Sequence, residues 1–253
     1  MTSADSGAPS RDEPALAGFL ESDYGYTDYG IEDTLKPVDP ESLVLASFDS
    51  LFLVSRLAPQ KLPARIDLHT FAYLGCLMAV YSGIPAHEWG YSFSAVPPTL
   101  PYSPTLDGSV DRLLEAEFLS EASSVESFHS SAFMLSDKGE RELAFLSELS
   151  LLSPRVSFLE AAASAAVFTS TAAVVNSLAN EPQLAAAKKL ASSRRLLTPS
   201  STARLYDEFE ALSQAIGKAN INLIVPASMY VSYLQSTAQS EFGDAATEVV
   251  AGA

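Results

Sequence analysis

The chain has 253 residues, 47% apolar and 18% charged. A chain near this size buries roughly three-quarters of its unfolded surface, so the composition describes one or two globular domains and excludes a wholly disordered protein. The formal net charge of −16 repels bare DNA and anionic membranes over most of the surface. Half of that charge lies in residues 1–41, which hold ten acids and only two bases, Arg11 and Lys36. The single cysteine, Cys76, excludes an intrachain disulfide and fits a reducing compartment. The first residues lack the basic and apolar regions of a signal peptide, so a cytoplasmic address is expected.

Residues 1–38 are rich in Gly, Pro, Ser, Asp and Tyr without a period, and read as an acidic flexible tail. Its core, Asp23 to Asp33, sets Tyr24, Tyr26 and Tyr29 among Asp28, Glu32 and Asp33. Tyrosine rings supply contact area at low entropy cost. The stretch is either a solvated linker or a segment that folds onto a basic partner surface.

Asp39-Pro40 then opens a helix that carries Val44, Phe48, Leu51 and Phe52 at helical spacing and ends near Leu57. A second, central helix spans about Ala64 to Ser82, with Ile66, Leu68, Phe71, Leu74, Met78 and Tyr81 inside and Gly83 as its stop. Residues 90–96 alternate apolar and polar, which predicts a short strand. Pro97, Pro98 and Pro101 predict an extended loop. Ser103-Pro104 opens a third helix with Leu106, Val110, Leu113 and Leu114 on one face. A hairpin follows from Phe118-Leu119, with its turn in Ser123–Ser127 and a return strand from Phe128 to Leu135. Ser136-Asp137 caps the next helix, whose apolar set is Leu143, Phe145, Leu146 and Leu149. Ser153-Pro154 starts one long Ala-rich helix that Asn180 to Pro182 breaks. Its stretch 156–179 carries only Glu160 as a charge, but Ala, Ser and Thr insert weakly into lipid, so a buried core helix is expected. A short basic helix follows over Pro182–Ser192. Thr198-Pro199 then introduces a helix with Leu205, Phe209, Leu212 and Ile216, stopped by Gly217. Residues 221–235 fit helix or strand, and 236–253 should fray.

The segment 103–149 holds the most information. A Ser-Pro-opened helix, a two-stranded hairpin and the run Phe133-Met134-Leu135-Ser136-Asp137-Lys138-Gly139 resemble the wing and closing helix of winged-helix domains. There a strand commonly runs into a Leu-(Ser/Thr)-x-x-Gly helix start. Gly139 would let the first helical turn pack closely. The stretch from Tyr91 to Glu121 resembles the Panacea-type antitoxin domain and its relatives, the accessory (middle) components of bacterial anti-phage systems. These share an aromatic strand, a Pro-rich stretch, a Tyr-x-Pro or Ser-Pro step and a Leu-spaced helix. The resemblance covers about residues 40–217. It departs at Ala116-Glu117-Phe118, where that family usually has Gly before the strand.

The resulting expectation is a mainly α chain with a small β-hairpin wing (α+β), a winged-helix core embedded in a helical domain. Its parts are a tail over 1–38, a winged-helix domain over 39–152, a helical extension packing on it over 153–235 and a frayed end over 236–253. The candidate recognition helix, 103–119, carries Asp107, Asp111, Glu115 and Glu117 against Arg112 alone. DNA-reading helices need bases there, so Asp107, Asp111, Arg112 and Glu115 read as a protein-binding face. The basic cluster of Lys188, Lys189, Arg194 and Arg195 reads either as helix C-terminal charge with a solvated face, or as a partner contact.

No catalytic constellation emerges. His69, His87 and His129 are dispersed, His87-Glu88 lacks the second histidine of a zinc-protease motif, and there is no cysteine pair. Cys76 and His69 stand seven residues apart on one helix, yet nothing in the sequence activates the thiol. The expected function is a non-catalytic protein-binding subunit, without cofactor, metal or small-molecule substrate. The resemblance implies an antitoxin-like or accessory component contacting an effector or an ATPase. The alternative is a winged-helix DNA-binding transcriptional regulator.

Overall fold

The computed structural model describes residues 39–96, 100–122, 131–198, 202–216 and 222–251. Helix α1 (Pro40–Leu57) starts at the expected cap. The Asp39 carboxylate accepts the Ser42 N–H at 3.2 Å, and Pro40 fills a position that needs no N–H. Phe48, Leu51 and Phe52 are buried, whereas Val44 is 51% exposed. Helix α2 (Arg65–Tyr81) is buried continuously from Asp67 to Val80, which makes it the central helix, and Gly83 ends it at a φ of 89°. Ile66, in its first turn, is exposed.

A 3₁₀ turn (Ala86–Trp89) leads to β1 (Ser94–Val96) and β2 (Leu100–Tyr102), which pair antiparallel. Tyr91, Phe93 and Ala95 are buried, with Ser92 and Val96 outside, in the expected alternation. Pro101 departs from the loop expected of it, because it lies within β2, opposite Ala95. The sheet order is β2-β1-β5, with β5 formed by Arg194–Arg195, so Pro101 occupies an edge strand. A missing N–H costs no ladder bond on an outer edge.

Helix α3 (Pro104–Glu115) is capped by Ser103, whose hydroxyl accepts the Leu106 N–H at 3.4 Å. Leu106, Val110 and Leu113 face the core. The helix ends in a left-handed turn: the Phe118 N–H donates to Leu113 O at 2.9 Å and the Glu117 N–H to Leu114 O at 3.0 Å, with Glu117 at a φ of 61°. This pair of bonds is the common left-handed helix termination, a position that favours Gly. The chain then enters β3 (Leu119–Ala122), paired antiparallel with β4 (Ala132–Leu135). The expected wing turn, Ser123–Ser127, and the start of the return strand lie outside the described residues. Ala64, just before α2, bridges Ala132, and the Phe133 N–H donates to Pro63 O at 2.9 Å. A third extended segment therefore lines β4.

Helix α4 (Asp137–Ser147) is capped by Ser136, which accepts the Gly139 N–H at 3.0 Å. A Cβ on Gly139 would sit 2.1 Å from Phe118 O, so a side chain there forces the helix off the strand start. This is the close packing the sequence implied. The expected apolar set divides, because Leu146 is buried but Phe145 is 59% exposed and Leu149 is also exposed.

The Ala-rich stretch departs from expectation more strongly. It forms two helices, α5 (Ser153–Phe168) and α6 (Thr171–Leu178), bent by 111°. Thr169 leaves the helical conformation, and Ser170 caps α6 by accepting the Ala173 N–H at 3.1 Å. Among the described residues no single helix is long and apolar enough to cross a membrane. Helix α7 (Pro182–Lys189) stops three residues earlier than expected. Helix α8 (Thr202–Ile216) buries Leu205 and Phe209. Residues 224–251 are helical: α9 (Ile224–Ala251) holds Pro226 in its first turn, and it continues past 235, where fraying was expected. It packs on α5 and α6, and α5 packs along α2. The described residues thus make a mainly helical α+β fold with two small antiparallel sheets. The described residues belong to one compact unit.

Candidate partner-binding surface

The outer face of α3 follows from its cap and its period. With Leu106, Val110 and Leu113 turned inward, Asp111, Arg112 and Glu115 are exposed. Asp107 differs from these three. Its Oδ1 receives Arg65 Nη1 at 2.8 Å, its Oδ2 receives the Tyr102 hydroxyl at 3.2 Å, and His69 Nε2 lies 3.5 Å from Oδ1. The His69 hydrogen bond and the Arg65 guanidinium hold its carboxyl well below the usual carboxylate range. Asp107 is therefore a tie between α2 and α3, and only part of it reaches solvent. Arg65 also binds Asp111 Oδ1 at 2.7 Å, so the nearest guanidinium is already engaged by α3. Lys138, the next base, donates to Ala116 O at 2.7 Å and lies 4.4 Å from the centre of the Phe118 ring. It satisfies the carbonyl end of α3.

The basic cluster is dispersed over two elements. Lys188 and Lys189 are exposed in the last turn of α7, where positive charge favours the helix end. Arg194 and Arg195 form β5 against Ser94 and Ala95 of β1. Tyr24, Tyr26, Asp28, Tyr29, Glu32 and Asp33 lie outside the described residues, as does His129. His87 is exposed in the 3₁₀ turn. His69 Nδ1 accepts the Ser103 N–H at 3.2 Å, so its ring is occupied in holding α2 to α3. Burial pushes the Cys76 thiol up, far from a reactive thiolate.

The sequence reading missed one group entirely. Asp49 on α1 is fully buried and meets Arg155 of α5 through two bonds, Nε to Oδ1 at 2.5 Å and Nη2 to Oδ2 at 2.7 Å. The Tyr91 hydroxyl donates to Asp49 Oδ2, Arg155 Nη1 donates to Trp89 O at 2.7 Å, and the guanidinium lies 3.7 Å from the centre of the Trp89 ring. Burial raises the Asp49 carboxyl, and Arg155 and Tyr91 draw it back. Each is a charged residue set in a mostly apolar helix, which was the available signal. The cluster joins α1, the 3₁₀ turn and α5, and serves as a structural joint.

No protein-family model matches the chain, and comparison with curated proteins finds no match.

Proposed function

We propose that this chain is a non-catalytic protein-binding subunit on a winged-helix core. In this reading it is antitoxin-like, or an accessory component of a bacterial anti-phage defence complex, and it presents α3 to an effector or ATPase partner. Element order supports the winged-helix reading: α1, the Ala64 segment, α2, α3, β3 and β4 follow one another, and β4 pairs with both β3 and Ala64. The 3₁₀ turn, β1 and β2 are then an insertion between α2 and α3. In helix-turn-helix relatives a helix in the place of α3 is the one presented to the ligand.

Charge carries the partner reading. The exposed face of α3 offers Asp111 and Glu115 against Arg112, while Arg65 is already bound to Asp107 and Asp111. Phosphate contacts need unpaired bases on such a face. The test is coexpression with the products of the flanking genes and measurement of the complex. Asp111→Arg with Glu115→Arg, and separately deletion of residues 1–38, is each expected to weaken the complex about tenfold, or ~1.4 kcal/mol. Unchanged affinity in both variants overturns the reading. Duplex binding tighter than about 1 μM that falls steeply with salt makes the chain a DNA-binding regulator instead.

A further inference from the structure

Helix α7 and its cap border a cavity of about 170 Å³, lined by Glu181, Gln183, Arg194, Leu205 and Glu208, among others. Its polar lining is held in place by the backbone. Glu181 is 1% exposed, and its Oε2 accepts the N–H groups of Gln183 and Leu184, both at 3.0 Å. Gln183 is 8% exposed, and its Oε1 accepts the Leu197 N–H at 2.9 Å. That bond fixes the amide, because the reversed amide would set one N–H against another. Gln183 Nε2 is therefore committed to donate, yet it is buried without an acceptor among the described residues. Native proteins rarely leave such a donor unmet. The same lining includes the acidic residues Glu181 and Glu208, and Arg194, which is exposed.

The site thus brings carboxyl hydrogen-bond acceptors together with N–H donors. A simple cation would leave Gln183 Nε2 unmet, and a simple anion would face two carboxyl groups. The volume is too small for a nucleotide or a folded peptide, and Leu205 supplies an apolar wall for a short side chain. We infer that the cavity binds a small zwitterion, an α-amino acid between alanine and valine in size. Its ammonium group meets Glu181 and Glu208, and its carboxylate meets the Gln183 amide and Arg194. This site is separate from the α3 face and does not depend on the partner reading.

Isothermal titration calorimetry of the full chain with L-alanine, L-serine and L-valine tests the assignment, with ethylamine and propionate as controls that each carry one charge. At least one amino acid is expected to bind with a Kd below about 1 mM, and both controls at least about tenfold more weakly. Arg194→Ala, a change at an exposed position, is expected to weaken the amino acid about fivefold. Gln183→Glu keeps the acceptor for the Leu197 N–H but replaces the donor with an anion, and should abolish binding. No binding of any amino acid at about 10 mM, equal binding of either control, or unchanged affinity in Arg194→Ala overturns the assignment.

Discussion

Asp49 lies inside α1 with no exposure to solvent, and Arg155 meets both of its carboxylate oxygens. Removing one member of such a pair leaves the other charged in a dry site, at a cost of about 3–5 kcal/mol, whereas removing both costs far less. Arg155→Met is therefore expected to lower unfolding free energy in urea by ~3–5 kcal/mol. Adding Asp49→Asn should restore at least half of the loss, and a single-variant loss under ~1 kcal/mol would show that the pair is not what joins α1 to α5. Glu117 illustrates strain in one backbone position. Its φ of 61° is the conformation that L side chains resist, at a helix end that favours Gly. Glu117→Gly is expected to stabilise the chain by about 0.5–1 kcal/mol, after allowing for the added entropy of the unfolded glycine. A lower urea midpoint in that variant would refute the strain argument.

At the scale of elements, helix starts are legible because one cap and one proline decide them. Asp39-Pro40, Ser103-Pro104 and Ser136 begin α1, α3 and α4 where the sequence places them. The break between α5 and α6 carries a weaker mark, Thr169-Ser170 in an alanine run with neither Gly nor Pro. Alanine favours continued helix, so propensity and period gave no reason to stop there. The stop exists because Ser170 caps α6 and because α6 then packs on α9. Ser170→Ala should cost about 1 kcal/mol, read as a shift in the urea midpoint. An unchanged midpoint would mean that packing alone makes the bend. The apolar set of α4 divides for a related reason: the helical period permits Phe145 and Leu149 to be inside, but among the described residues Phe145 stays exposed and Leu149 lies beyond the helix end.

For the whole molecule, buried carboxyl groups set the response to pH. Burial and the nearby Glu208 charge push Glu181 up to about 7, from an ordinary value of 4.5, while its cap bonds to Leu184 and Gln183 oppose the rise. The other ionisable groups acting on it are Tyr73 of α2 and Glu208 of α8, with Tyr230 of α9 close by. The folded state binds this proton more tightly than the unfolded chain. Its stabilising effect is therefore complete below pH 4.5 and is lost as pH rises to about 7. Asp49 and Asp67, both raised by burial, act in the same sense. Asp107 acts oppositely, since its lowered carboxyl supports the fold above the ordinary carboxylate range and ceases to do so in stronger acid. Unfolding free energy should therefore peak near pH 4 and fall by about 3 kcal/mol or more on approaching pH 8. Glu181→Gln should flatten that decline, and a flat profile in the unaltered chain would contradict the assignment.

The sequence by itself determined the acidic balance, the helix starts at their caps, the alternation of residues 90–96 and the tight approach at Gly139. Each depends on interactions within about one helical turn or one strand pleat, and such interactions are written locally. Tertiary structure alone decided that Asp49 meets Arg155, 106 residues away. It also decided that Ala64 joins β4, that Pro101 sits on a sheet edge, and that Arg65 ties Asp107 and Asp111. It brought Glu181, Gln183, Arg194 and Glu208 around one cavity. Those pairings are favourable only once distant segments exclude water together, and no local spacing encodes which segments those will be.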